Sequence, residues 1–242
     1  MAALQRVGRI AARVLRRMLS ALEPGMTTLE LDQLGQRLLD RAGARSAPRL
    51  AYDFPGATCI SINEQAAHGV PGPRVIAPGD VVNIDVSAEL DGYFGDTGGT
   101  RVVPPSDARK DQLCHVARLA LSRALSVARA GQPLNGIGRV IEQTAVEHGL
   151  RVIENLGSHG IGRKLHEAPG FIAGYCDPAE RRRLKPGMVI TIEPFISTRS
   201  RRLRTAADGW TLRGTPDNLS AQYEHTLIVT SGRPILCTSP NG

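Results

Sequence analysis

Between Val81 and Thr97 the chain reads Val-Val-Asn-Ile-Asp85-Val, then a turn region over Ser87–Gly92, then Tyr-Phe-Gly-Asp96-Thr97. Two runs rich in apolar and β-branched residues, parted at Asp91-Gly92, predict a β-hairpin, because Asp-Gly tolerates the positive φ angles of a tight turn. Each predicted strand carries an aspartate. Without a bulge, two registers put Asp85 and Asp96 on one face. One pairs them directly, with Cβ atoms roughly 5 Å apart; the other, offset by two residues, makes them diagonal neighbours at roughly 7–8 Å. Two ionised carboxylates that close, inside apolar strands, repel one another and lose hydration unless a proton or a cation is shared between them. The structural alternative makes one aspartate a turn cap and the other a solvated edge residue.

The flanking sequence predicts helices. Leu4, Val7, Ala11, Val14, Leu15, Met18 and Leu22 recur at helical spacing. The Arg-rich, acid-free N-terminus therefore reads as a packed first helix with an arginine face, although its composition superficially suggests a targeting segment. Thr27 with Glu30 makes a capping box for a second helix that ends at Gly43. A loop rich in Ala, Pro and Arg leads to strands around Cys59–Asn63 and His68–Pro71. Beyond the hairpin, helices are predicted from about Ser106 or Asp107 to Ala130 and from Asn135 to His148, stopped by Gly131 and Gly149. Strands over Met188–Glu193 and Tyr223–Thr230 close the chain.

The two halves repeat. Gly25 and Gly43 recur as Gly131 and Gly149, both displaced by 106 residues. Ala77-Pro-Gly-Asp-Val-Val-Asn-Ile-Asp85 lies over Lys185-Pro-Gly-Met-Val-Ile-Thr-Ile-Glu193, displaced by 108. A duplicated helix-helix-strand-strand unit follows, and Glu193 stands where the first half has Asp85. Likewise Asp96-Thr97 opposes the strand carrying Glu224-His-Thr226. Asp85, Asp96, Glu193 and Glu224 then meet where the half-sheets join, and four negative charges there destabilise the fold without counter-ions. Two divalent cations balance them, since bridging carboxylates suit ions ~3.5–4 Å apart. His159, in a Gly-flanked segment, is the candidate nitrogen ligand.

The set His68-Gly-Val-Pro, Asn83-Ile-Asp85, Gly95-Asp96-Thr97, His159-Gly-Ile-Gly-Arg with His166-Glu-Ala-Pro, Thr191-Ile-Glu193-Pro and Ser220-Ala-Gln-Tyr-Glu224-His-Thr resembles the type I methionine aminopeptidases, in the family's order and over nearly the whole chain. The resemblance implies an α+β pita-bread fold: a pseudo-twofold duplicated unit with a curved antiparallel sheet and outer helices. It implies one catalytic domain over residues 1–242, with halves of about 1–105 and 106–242. It also implies removal of the initiator methionine from nascent chains when the second residue is small. Carried over, Asp85 binds one metal ion, Asp96 and Glu224 bridge both, and His159 and Glu193 bind the other. Glu193 serves also as general base and acid, while His68 and His166 contact the scissile amide. Phe54, Cys59 and Trp210 match positions of the methionine pocket. The chain departs from the family at Ser158, where glycine is usual, at Leu165, where an aromatic residue commonly lines the pocket, and over residues 51–55, whose spacing is altered.

The remaining expectations are coarser. Carboxylates with one imidazole accommodate Co, Mn, Fe or Zn. Scattered cysteines (Cys59, Cys114, Cys176, Cys237) suit a reducing cytoplasm and give no thiolate site. No run reaches the ~18 apolar residues of a membrane span, and a monomer is expected. The net charge of +7 and the basic stretches Arg181–Lys185 and Arg199–Arg204 suggest contact with ribosomal RNA or a merely solvated surface. A non-catalytic module of the same fold, binding peptides or ribosomes, is the alternative function; such modules generally lose ligands, whereas all five positions are filled here.

Overall fold

The computed structural model describes residues 1–239; the last three residues of the expected 1–242 domain lie outside the described residues. The N-terminal half runs α1 (Ala2–Ala21), α2 (Thr28–Arg41), β1 (Arg45–Ser46), α3 (Ala47–Tyr52), β2 (Cys59–Ile62), β3 (Gln65–Ala67), β4 (Val81–Leu90) and β5 (Tyr93–Val102). The C-terminal half runs α4 (Ala108–Val127), α5 (Asn135–Glu147), β6 (Arg151–Val152), β7 (Gly157–Gly160), β8 (Glu167–Ala173), β9 (Val189–Ile192), β10 (Phe195–Ser197), β11 (Arg204–Thr205), β12 (Leu212–Arg213), β13 (Ser220–Gln222), β14 (His225–Ile228) and β15 (Ile235–Leu236).

The hairpin takes the diagonal register. Asp85 pairs with Gly98 and Ser87 with Asp96, and the ladder runs unbroken from Val81↔Val102 to Leu90↔Tyr93. Its turn is shorter than the expected Ser87–Gly92 region. Only Asp91 (φ 54°) and Gly92 (φ 77°) make the reversal, because Ala88 and Leu90 are buried and β1 pairs alongside at Glu89 and Ala88. Period-two alternation then sorts the faces. Val82, Ile84, Val86 and Ala88 pack into a core with Val7, Val14 and Met18 of α1 and Leu31 of α2. Asn83, Asp85 and Ser87 take the opposite face.

The second half repeats this plan. Leu113, Ala117 and Leu121 of α4 and Ile137 and Ile141 of α5 form a separate core with Ile190, Ile192 and Leu227, so Thr191 faces away from the helices. The duplication holds in the backbone angles as well. Gly25, Gly43 and Gly79 have φ of 92°, 69° and 85°, and their counterparts Gly131, Gly149 and Gly187 have 84°, 70° and 82°. Helix α2 begins with the expected capping box, Thr27 Oγ1 accepting from the Glu30 N–H and Glu30 Oε2 accepting from the Thr27 N–H. Every strand pairing is antiparallel.

Four sequence expectations are corrected. The loop before Cys59 contains α3, whose N-cap Ser46 accepts from the Arg49 N–H. Residues 68–71 are not a strand: His68 sits at φ 53°, and the extended segment is β3 just before it. Helix α4 stops at Val127 because the N–H groups of Ala130 and Gly131 bond to Thr230 and Leu184 instead. Finally, Glu193 and Glu224 lie beside strands, not inside them. Pro194 has no N–H and separates β9 from β10, while the Glu224 N–H leaves its own ladder for Gly98 O at 3.0 Å. Among the described residues, no helix is long and apolar enough to cross a membrane.

Candidate metal centre and pocket

The seam between the halves is tied by hydroxyls. Thr226 Oγ1 accepts from the Asp96 N–H and donates to Asp96 O, and Thr97 Oγ1 donates to Glu224 O. This lays Asp96 beside Glu224. His159 comes from β7, where the pairing register shifts between Ser158 and Gly160. One ligand atom each from Asp96, His159 and Glu224 lies within 4.8 Å of the others. His159 Nε2 is 3.8 Å from Asp96 Oδ2 and 3.4 Å from Glu193 Oε1. Asp85 lines the same cavity as Asp96, His159 and Glu193. All five sequence-predicted ligands therefore gather at one place.

Four of the five candidate ligands are held by a neighbour, and two carboxylate oxygens are left over. Ser87 Oγ donates to Asp96 Oδ1 (2.7 Å), Thr191 Oγ1 to Glu193 Oε1 (2.9 Å) and Gln222 Nε2 to Glu224 Oε2 (3.0 Å). Gln222 is itself held by Asn83 at 2.8 Å. It fits only because residue 98 is glycine: a Cβ there would lie 2.1 Å from Gln222 Oε1. His159 Nδ1 lies 2.9 Å from Gly160 O; the carbonyl accepts the ring proton, which leaves the Nε2 lone pair facing the carboxylates. Asp85 Oδ1 and Glu224 Oε1 are buried with no hydrogen-bond partner.

The electrostatics call for a shared proton or a cation among these carboxylates. Burial, then repulsion from Asp96, holds the Asp85, Glu193 and Glu224 carboxyls well above the usual carboxylate range. Burial also lowers His159 to about 4 and His166 to about 4, so neither imidazole supplies positive charge at neutral pH. Among the described residues, no lysine or arginine pairs with any of the four acids. Orphaned carboxylate oxygens, a neutral imidazole and no fixed cation fit divalent metal ions, and this donor set is the oxygen-rich, single-nitrogen kind that borderline ions accept.

Beside the acids lies a cavity of about 240 Å³, lined by Phe54, Cys59, Leu165 and Trp210 and reached by His68 and His166. That is below the ~300–1,000 Å³ of drug-sized pockets and suits a single side chain. Phe54 meets Trp210 edge-on, with ring centroids 5.3 Å apart. Burial pushes the Cys59 thiol well up, so it acts as a small apolar wall. Sequence reasoning missed Ser87, Thr191, Gln222 and Tyr52. The first three were accessible from alternation: Thr191 and Gln222 stand two residues before Glu193 and Glu224, and Ser87 faces Asp96 once the register is known. Tyr52 belongs to the unpredicted α3.

Comparison with known proteins gives the same reading. Residues 2–231 match the model of metallopeptidase family M24. Methionine aminopeptidase 2 of Bacillus subtilis is 44% identical over 97% of this chain and 95% of its own length. Methionine aminopeptidase of Escherichia coli is 38% identical over 92% of this chain and 85% of its own. The crystal structure of methionine aminopeptidase from Thermotoga maritima superposes with a TM-score of 0.94 at 31% identity, covering 98% of this chain and 96% of that one. A buried carboxylate cluster of this composition, on this duplicated scaffold and with these relatives, leaves one family: the chain belongs to metallopeptidase family M24, on its methionine aminopeptidase branch.

Proposed function

We propose that this chain removes N-terminal methionine from nascent proteins and peptides whose second residue is small, acting as a single catalytic domain with two divalent ions. The observation that carries the reading is the convergence of Asp85, Asp96, His159, Glu193 and Glu224 on the wall of a cavity sized for one side chain. Asp85, Asp96, His159, Glu193 and Glu224 would together hold the ions, Asp85 on the side of the first half and His159 with Glu193 on the side of the second. Divalent ions there supply Lewis acidity toward a carbonyl oxygen and make water acidic enough to attack at neutral pH.

The chain's own residues do the rest. Thr191 occupies Glu193 Oε1, leaving Oε2 to take the proton of the attacking water and return it to the departing amine. His166, neutral because burial lowers it to about 4, acts as a hydrogen-bond donor to the charge that develops on the carbonyl oxygen. His68, lowered by burial as well, contacts the amide from the same cavity. Phe54, Cys59, Leu165 and Trp210 receive the methionine side chain, and crowding near the acids restricts the next residue. The enzyme works in the cytoplasm as a monomer, and the exposed arginines of 181–185 and 199–204 approach ribosomal RNA. Salt-insensitive ribosome binding, or none, would remove that last element.

The test is release of methionine from Met-Ala-Ser, before and after chelation. Turnover that vanishes with chelator and returns with Mn²⁺ supports the reading. Peptide binding without cleavage under all metal conditions would favour a non-catalytic module.

A further inference from the structure

We propose that Tyr52 is a positioning residue for His166, fixing that imidazole so that its Nε2–H faces the reacting amide; this rests on the functional reading above, in which His166 contacts the amide. Tyr52 is the last residue of α3, a six-residue helix of the N-terminal half. His166 lies in the C-terminal half, just ahead of β8. The Tyr52 hydroxyl stands 2.7 Å from His166 Nδ1. For both side chains this is the only hydrogen bond among the described residues. The ring centroids are 5.5 Å apart at 52°, and the other flank of His166 packs on His159 with centroids 4.0 Å apart.

The chemistry of the pair sets its direction. A neutral imidazole has one N–H and one acceptor nitrogen. A phenol O–H is far more acidic than a neutral imidazole N–H, so tyrosine donates and Nδ1 accepts. The ring proton then resides on Nε2, the nitrogen left free of protein partners. His166 lies in the bend between β7 and β8, and no second hydrogen bond among the described residues would hold its ring angle. One hydrogen bond therefore spans the pocket mouth from one half to the other and orients a donor toward the substrate. The arrangement matters because an oxyanion donor acts only when preorganised.

Tyr52→Phe keeps the ring and removes only the hydroxyl. The expected result on Met-Ala-Ser is a kcat about tenfold lower, as for loss of an orienting hydrogen bond, with KM and bound metal unchanged. Combined with His166→Ala, the two losses should not add, since Tyr52 acts through that imidazole. Nitrogen-15 NMR of the His166 ring gives a reading independent of turnover: the Nδ1 resonance should move in Tyr52→Phe as its donor is lost. Additive losses, or a raised KM at unchanged kcat, would make Tyr52 a pocket wall and overturn the positioning role. An unmoved Nδ1 resonance overturns the hydrogen bond itself. A wild-type enzyme that releases no methionine overturns the functional reading and this role with it, whereas the other results overturn this role alone.

Discussion

The two halves hold their candidate metal ligands by different means. In the first half, Asp85 and Asp96 ride an unbroken ladder of ten residues against ten. Their backbone positions follow from that pairing, and Asp96 is further tied by the Thr226 and Ser87 hydroxyls. The second half starts from the same plan, for β9 begins 108 residues after β4 as the repeat requires, but its strand is interrupted after Ile192. Glu193 and Glu224 sit at such interruptions, and His159 at a register shift. Backbone N–H groups freed there find side-chain partners: the Glu193 N–H donates to Ser158 Oγ (3.0 Å) and the His159 N–H to Thr191 Oγ1 (3.1 Å). The two halves are thus similar frames, and the imidazole and the two glutamates of the seam come from the relaxed one, whose ladder is broken. The relaxed half uses hydroxyls to replace missing ladder bonds, whereas the regular half adds them to a ladder that is complete.

That contrast is open to attack by substitution. The largest effects should come from the residues shared across the seam. Asp96→Asn and Glu224→Gln should each lose bound metal and all measurable turnover, and should melt near the temperature of chelated wild type, because an ion bound only by the folded state stabilises it. Retained metal and activity in either variant would mean that the halves do not share a site. Next come the groups proposed to touch substrate and not metal. His68→Ala and His166→Ala should keep their metal, measured by elemental analysis, and lose roughly 10²–10⁴ in turnover.

Props of the relaxed half should matter less, yet visibly. Thr191→Val and Ser158→Gly should weaken metal affinity by roughly 10–100-fold, the range for partners that orient a ligand. Calorimetric titration with Mn²⁺ reads this directly, and wild-type affinity in both would erase the distinction between the halves. Leu165→Phe should raise the kcat/KM preference for Met-Ala-Ser over Leu-Ala-Ser by up to about tenfold, since a sulfur–aromatic contact is worth ~0.3–1.5 kcal/mol. An unchanged ratio would take residue 165 out of the pocket.

The smallest effect belongs to the regular half. Glu89 accepts from Arg45 Nε and from the Gly92 N–H, each at 2.6 Å, and the Arg45 bond chiefly holds its carboxyl below the usual range. A lowered folded pKa stabilises above the unfolded value of ~4.3 and is lost as pH falls through the folded one. Glu89→Gln should therefore lower Tm by no more than ~2–4 °C at pH 7, and the difference should close on acidification below pH ~4.

Much of this was legible in the chain. The hairpin, the capping box and the repeat rest on local periodicity or fixed spacing, the five candidate ligands rest on these together with the family resemblance, and the structure brings those five residues together. What escaped depends on tertiary context. The register was open between two choices because both keep the aspartates on one face, and only the packing of β1 and the buried Ala88 and Leu90 close the turn at Asp91-Gly92. Helix α3 is six residues long, too short for a periodic signal, and it carried Tyr52 with it. The break at Glu193 was marked by Pro194, whereas the one at Glu224 was hidden because the run around it looks continuous in sequence whether or not the ladder is.

The central claim is that both halves build one two-ion centre, and counting ions against turnover tests it most directly. Metal-free wild-type protein is titrated with Mn²⁺ while methionine release from Met-Ala-Ser is followed in the same samples. Turnover absent at the start, rising with bound metal and levelling as binding saturates at two ions per chain, is the predicted course. Full turnover by the metal-free protein, or no binding at the cluster of Asp85, Asp96, His159, Glu193 and Glu224, would contradict it.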